Sequence, residues 1–338
     1  MLSALRKRFS NFRQIGADSP PWQQLQQELL AESTLDPSYL ILIVGSCAIA
    51  TFGLLANSAA VIIGAMIIAP LMLPIRGLAF GALEGDIVLV RRGAIAIGVG
   101  TLLAIALAWG IGRLVGIPGF DSEVLARSKP TLLDLGIAVA AGGISGYAKI
   151  QPKVSGSLAG TAIAVALMPP ICVVGLGLSQ ANWSLSFGAT LLYFTNLLGI
   201  TLSCMLTFLS AGYASFRRAR KALTWALAFT AILLIPLGLS FARLVRQAQL
   251  EKSLQRALLN RTITFQRSEL LSSQTNWLVD PPEVRLNVRA KEPITPRQVQ
   301  LLEQFIEREM GQHFTLVFLM VQVQEIRRDS SMSENDKK

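Results

Sequence analysis

Long apolar stretches alternate with short polar ones between residues 38 and 244. A bilayer core of ~30 Å needs about 20 consecutive apolar residues per helix. Seven stretches come close to or exceed that length, at 38–56, 58–83, 93–115, 132–150, 154–178, 185–212 and 223–244. The pattern therefore predicts a multi-pass α-helical membrane domain with about seven spans.

A polar, basic segment at 1–37 precedes the first span. Within it, Pro20-Pro21 opens an amphipathic helix with Trp22, Leu25 and Leu29 on one face. Two interpretations of this helix stay open. It lies on the bilayer surface, or it packs on the protein.

The pattern beyond the last span is that of a soluble domain over 245–328. Strands are predicted at 262–266, 284–290 and 314–326, with a helix at 296–310 between the last two. Strand–helix–strand order implies a parallel crossover and hence a small α/β domain. The polar tail at 329–338 is expected to be disordered.

Composition agrees with a membrane protein, because 52% of residues are hydrophobic and 15% are charged, against roughly 25% charged in soluble domains. The net charge of +10 is expected to mark cytoplasmic loops, so we expect no nucleic-acid partner. Counting basic residues puts the N-terminus in the cytoplasm. With seven spans the C-terminal domain is then outside, and one re-entrant segment would reverse that side. With three Cys and one His, no metal centre or other cofactor is predicted.

Two of the apolar segments share a motif. Residues 64–81 (GAMIIAPLMLPIRGLAFG) and 160–177 (GTAIAVALMPPICVVGLG) lie 96 positions apart and are identical at seven of eighteen positions. The first copy contains Pro70, Met72 and Pro74, and the second contains Met168, Pro169 and Pro170. The sequence therefore predicts an internal repeat.

The repeat has a consequence for topology. Repeat one (38–115) and repeat two (132–212) each hold three spans, so the second copy enters the membrane inverted, and 223–244 is an extra span. Proline removes a backbone donor and clashes with the preceding turn, so the second helix of each repeat should be broken. Broken helices at matching places in inverted halves indicate a substrate or ion site near the midplane. Alternatively, the prolines serve only helix packing.

The motifs at 57–75 (NSAAVIIGAMIIAPLMLPI), 84–86 (EGD) and 166–171 (ALMPPI) resemble the membrane family labelled domain of unknown function 389. The resemblance covers roughly residues 38–243, and the C-terminal domain resembles one carried by some members. It implies a multi-pass protein of a prokaryotic cell (inner) membrane and supplies no substrate.

Polar residues at membrane depth give the remaining candidates. Arg76 follows the first break but is not part of the family pattern, and Glu84 and Asp86 are its nearest acidic neighbours along the helix. Three roles are open for Arg76: contact with an anion or lipid headgroup, a gating ion pair, or extension of its side chain to the cytoplasmic interface. Asn196 binds a substrate or hydrogen-bonds another helix. The predicted pathway residues are Pro70, Met72, Pro74, Arg76, Met168, Pro169, Pro170 and Asn196, with Asn57, Glu84 and Asp86 as secondary candidates.

The function expected from these features is that of a secondary transporter or channel for an unidentified small solute or ion. No enzymatic motif is recognised, so we do not predict an enzyme. Two alternatives remain: a non-transporting scaffold or sensor acting through its soluble domain, and a lipid-headgroup-binding protein. Stripes of small residues on the third and fourth spans predict a homo-oligomer in the lipid bilayer.

Overall fold

The computed structural model describes residues 20–116, 119–151, 167–261, 268–276, 281–290 and 295–322. Within these ranges the chain forms eleven helices and three strands, and it divides into two compact units, Met1–Phe241 and Ala242–Lys338. The elements are α1 (Trp22–Glu32), α2 (Pro37–Leu55), α3 (Ala59–Ile68), α4 (Met72–Glu84), α5 (Ile87–Val115), α6 (Ser122–Ala126), α7 (Leu132–Ile150), α8 (Met168–Ser179), α9 (Trp183–Ser210), α10 (Phe216–Arg261), β1 (Ser268–Asn276), β2 (Glu283–Ala290), α11 (Pro296–Met310) and β3 (Thr315–Gln322).

Four helices among the described residues are long and apolar enough to cross a bilayer: α2, α5, α9 and the Phe216–Ala242 part of α10. The bent pair α3 and α4 makes a fifth if it counts as one span. Helix α7 has the same 19-residue length as α2, but Asp134 and Lys149 lower its hydropathy. The chain is thus a mostly helical membrane protein by length and composition, while seven spans stay a prediction.

The first predicted break is present, because α3 and α4 meet at an angle of 51°. Pro74 is the third residue of α4, and Pro169 and Pro170 are the second and third residues of α8. A proline in the first turn removes no intrahelical bond, since the first N–H groups of a helix have no partner there. These prolines therefore begin helices in the described chain. The first part of the second predicted broken segment, 154–166, lies outside the described residues.

The turns that follow α4 and α8 have the same construction. Gly85 after α4 has φ +77°, and Ala181, 96 positions later, has φ +55°. The next residue in each case caps the following helix. Asp86 accepts hydrogen bonds from the N–H groups at the start of α5, and Asn182 accepts one at the start of α9. Helices α4 and α8 also start 96 positions apart, as do α5 and α9.

The helices of the first unit pack in an order that matches across the two predicted repeats. Helix α4 packs on α5 and also on α9, while α8 packs on α9 and also on α5. Helix α2 packs on α5 as α7 packs on α9. The α7–α9 approach is close, because a Cβ at Gly142 would lie 2.5 Å from the carbonyl oxygen of Ile200.

Helix α1 packs on the protein, which decides between the two interpretations of the N-terminal helix. Leu25 and Leu29 are fully buried. Helix α1 packs on α4, where a Cβ at Gly77 would collide with the Ser33 hydroxyl oxygen. Apolar burial and a close helix approach therefore hold α1 on the membrane bundle.

The second unit contains a three-stranded sheet in the order β1-β2-β3. Strands β2 and β3 are parallel, as the strand–helix–strand order predicts, and β1 is antiparallel to β2. The buried side chains of β2 pack with those of α11 and β3 in a small apolar core. The predicted strand at 262–266 lies outside the described residues, and β1 was not predicted.

Candidate functional site

A cavity of about 380 Å³ opens among the helices of the first unit. Its walls come from α3, α6, α7, α8 and α9, and thus from both predicted repeats and the segment between them. The lining residues are Met66, Glu123, Ala126, Arg127, Asp134, Ile137, Pro169, Pro170, Leu192 and Asn196.

One side of the cavity is charged. Arg127 Nη1 lies 2.6 Å from Glu123 Oε2, and it also donates to the Glu123 carbonyl oxygen. Asp134 accepts hydrogen bonds from the backbone N–H and the hydroxyl of Thr131, 2.7 and 2.8 Å away. Asp134 therefore caps α7 as well as lining the cavity. The secondary candidate Asn57 contacts this charged side, because its Oδ1 accepts a hydrogen bond of 3.0 Å from the backbone N–H of Glu123.

The other side is formed by the two predicted broken segments. Met66 comes from α3, before the first break, and Pro169 and Pro170 begin α8. Helices α3 and α8 contact one another. Asn196 is 3% exposed and places an amide on this largely apolar wall, where a buried polar group needs a hydrogen-bonding partner. The lining thus combines charged, amide and apolar groups.

The predicted pathway residues fall into three groups. Pro169, Pro170 and Asn196 line the cavity. Four others are buried within the bundle but do not contribute to its lining: Pro70, Met72, Pro74 and Met168. Arg76 belongs to a different cluster.

Arg76 forms an ion pair with Glu32 of α1, with Nη2 and Oε2 3.0 Å apart. The expectation that Glu84 or Asp86 is its acidic partner is therefore wrong. Glu84 pairs with Arg218 at 3.2 Å. Glu84 lies eight positions after Arg76, which is about 12 Å along a helix, so its carboxylate is too far away.

Asp86 instead holds the start of α5 and contacts α1. It accepts a hydrogen bond of 2.7 Å from Gln26 and bonds from the N–H groups of Val88 and Leu89. Burial acts to raise the pKa of Asp86, but these hydrogen bonds outweigh it and keep the pKa below its ordinary value. Asp86 has a structural role in the described chain.

Lys149 completes the cluster around Arg76. Its Nζ lies 2.6 Å from Glu28 Oε2 and 2.9 Å from Glu32 Oε1. The hydrogen bond from Lys149 is the main reason that the pKa of Glu28 is lowered. Asp134 and Lys149 are near opposite ends of α7, fifteen residues or about 22 Å apart. The cavity and the Arg76 cluster therefore lie at opposite ends of this helix.

Sequence reasoning missed several of these residues. Glu123 and Arg127 lie between the two predicted repeats, and Glu32 lies in the helix before the first predicted span. The four charges between residues 116 and 131 were the available signal. In the described part of the chain, no group of three or more His, Cys, Asp or Glu side chains is placed to hold a metal ion.

Comparison with known proteins agrees with the resemblance noted in the sequence. The model of the family described as Domain of unknown function (DUF389) matches residues 66–202, a range that includes every lining residue of the cavity. The Uncharacterized protein MJ0678 of Methanocaldococcus jannaschii is 27% identical over 189 residues, which are 56% of this chain and 59% of that protein. The chain thus spans about three-fifths of this relative's length. No solved structure matches the chain.

Proposed function

We propose that the membrane unit is a secondary transporter or channel for a small solute or ion. The observation that carries this proposal is the cavity of about 380 Å³, which extends from the Glu123–Arg127 pair to Asn196 and the start of α8. Apolar packing alone would favour filling such a space, since cavities destabilise a bundle. A polar lining at the start of a broken helix is typical of a transport site.

The second support is the agreement between the two predicted repeats. The left-handed residues Gly85 and Ala181, the capping residues Asp86 and Asn182, and the starts of the helices around them all share the 96-residue offset. A shared turn geometry at different residue types favours common ancestry over chance similarity of apolar sequence. Two units of three spans each would have inverted orientations, as in many secondary transporters.

Accessibility of the cavity from water is the first test. We would place a single cysteine at Leu192, which lines the cavity, or at Phe194, which is 48% exposed on the outside of the bundle. Both are on α9, and Cys47, Cys172 and Cys204 would be replaced. In liposomes, a membrane-impermeant maleimide should label position 192 and spare position 194, which we expect to face lipid. Equal protection at both positions would favour a packed scaffold.

Flux is the second test. Purified protein in liposomes should accelerate swelling in at least one small solute, or the passage of at least one ion, beyond the rate in protein-free liposomes. Asn196→Leu should reduce this rate because it removes the amide from the cavity wall, while Phe194→Leu on the same helix should not. The proposal is refuted if a panel of inorganic ions, organic anions and amino acids all cross at the protein-free rate.

A further inference from the structure

Four charged side chains meet at the end of α7 remote from the cavity. Arg76 and Lys149 supply the positive charges, and Glu28 and Glu32 of α1 supply the negative ones. Glu32 uses both of its oxygens, with Oε1 2.9 Å from Lys149 Nζ and Oε2 3.0 Å from Arg76 Nη2. One carboxylate thus bridges two cations, which is how a protein binds a carboxylate or phosphate ligand.

The two cations belong to the membrane bundle, whereas both carboxylates come from outside it. Arg76 is on α4 of the first predicted repeat, and Lys149 is on α7 of the second. Their side chains are only 9% and 12% exposed. Without α1, the bundle would hold two adjacent cations with no described carboxylate against them, and buried charges require partners.

Glu32 does not provide a hydrogen-bond acceptor for every N–H group of Arg76. Its Nε is buried and has no hydrogen-bond partner among the described residues, and Glu32 Oε2 likewise makes no directed hydrogen bond despite the 3.0 Å contact. A guanidinium has five N–H donors arranged to match planar or tetrahedral oxyanions. The site therefore offers more donors than the glutamate uses.

We propose that Arg76 and Lys149 form an oxyanion-binding site, which Glu32 occupies here as an internal ligand. A phosphate group, whether on an anionic lipid headgroup or dissolved in water, competes with Glu32 for this site. Its binding weakens the docking of α1 onto α4. Burial of Leu25 and Leu29 still favours the docked state, so the oxyanion shifts the docking equilibrium of α1 without unfolding the protein.

Docking of α1 can be measured in the full-length protein by protection of a buried position. Leu25 is fully buried on the inner face of α1, while Gln27 on the same helix is exposed. A single cysteine at position 25 should react slowly with a water-soluble maleimide, and one at position 27 should react fast in every condition. We expect inorganic phosphate, or phosphatidylglycerol in a nanodisc, to speed labelling at position 25 about tenfold, because losing a partner of a largely buried ion pair is costly.

The controls distinguish the two sources of phosphate from general screening. Sodium chloride at equal ionic strength and nanodiscs of phosphatidylcholine alone should leave the rate unchanged. Acceleration by inorganic phosphate identifies a dissolved oxyanion, and acceleration by phosphatidylglycerol without phosphate identifies a lipid headgroup. If neither accelerates labelling, or if chloride does so equally, the proposal is overturned and α1 is a fixed structural helix.

A second measurement tests binding without using the motion of α1. In Glu32→Gln the site loses its internal ligand, so inorganic phosphate should raise the thermal midpoint of this variant more than that of the natural protein. Adding Arg76→Gln should abolish the extra stabilisation. An equal response of all three proteins would overturn the proposal. If Glu32→Gln does not fold, Glu32→Asp replaces it, because aspartate retains the charge on a shorter side chain. The proposal is supported if phosphate raises the thermal midpoint of Glu32→Asp more than that of the natural protein, and it is overturned if phosphate does not. Neither measurement requires transport, so failure here is distinguishable from failure of the proposed function.

Discussion

Gly85 and Ala181 occupy equivalent left-handed positions after α4 and α8. Substitutions at these two positions should change the stability of the protein in opposite directions. Gly85 has no Cβ and has φ +77°, and a Cβ built on it would meet nothing within 4 Å. Ala181 has φ +55° and does carry a Cβ. Gly85→Ala should therefore introduce backbone strain without a steric clash, while Ala181→Gly should remove such strain.

The magnitude follows from two opposing contributions. A left-handed conformation costs an L-residue about 1–2 kcal/mol. Replacing Gly by Ala lowers the entropy of the unfolded chain and so returns about 0.4–1 kcal/mol. The net change is a loss of about 1 kcal/mol for Gly85→Ala and a gain of similar size for Ala181→Gly. For a unit of this size, about 1 kcal/mol shifts the thermal midpoint by ~2–4 °C.

Thermal unfolding in detergent can be followed with a thiol-reactive dye, because all three cysteines are buried and free. Gly98→Ala is the matched control. It lies within α5 with nothing within 4 Å of its added Cβ, so helix propensity alone should stabilise the protein by about 1 kcal/mol. If Gly85→Ala raises the midpoint as Gly98→Ala does, Gly85 is not left-handed and the turn equivalence fails.

Three further predictions test the packing of the first unit. Gly142→Ala should lower the thermal midpoint, since overpacking costs about 1–3 kcal/mol, while Gly136→Ala on the same helix has open space and should raise it. The pKa of Glu28 is lowered, so its contribution to α1 docking should persist at neutral pH and be lost only as the pH falls below the ordinary value of 4.5. Maleimide labelling of α1 measured as a function of pH should therefore speed up below that value, and Glu28→Gln should not show this change. Cys47 and Cys172, with sulfurs 3.6 Å apart, should be joined by a mild oxidant, which thiol counting after denaturation would detect as the loss of two thiols.

The sequence pattern was sufficient for features that depend on local chemistry. Helix α11 was predicted at 296–310, and the structure has it at Pro296–Met310, because a Thr-Pro start and a glycine end are local signals. The break near Pro70 could also be predicted, since proline cannot continue a helix. Which turn of which helix would contain Pro74 and Pro170 could not, because the helix start depends on how the whole segment packs.

Pairings between distant segments were beyond the same reasoning. A partner for Arg76 was sought two turns further along the chain, whereas the structure supplies Glu32, which is 44 positions earlier. The apolar pattern of α1 was compatible with lipid and with protein, and only the burial of Leu25 and Leu29 decides between them. Charged partners carry no periodic signal that would identify them from sequence.

Helix α7 contributes a residue to each of the two polar sites. This helix lines the cavity with Asp134 and holds α1 through Lys149. A Cβ at Gly142 would lie 2.5 Å from Ile200 of α9, so the backbones of α7 and α9 are in direct contact and interdigitated helices do not slide freely. If release of Lys149 from α1 tilts α7, we expect α9 to move with it, and with α9 the Asn196 side chain in the cavity wall. Maleimide labelling at position 192 should then change when inorganic phosphate is added, and an unchanged rate would separate the two sites.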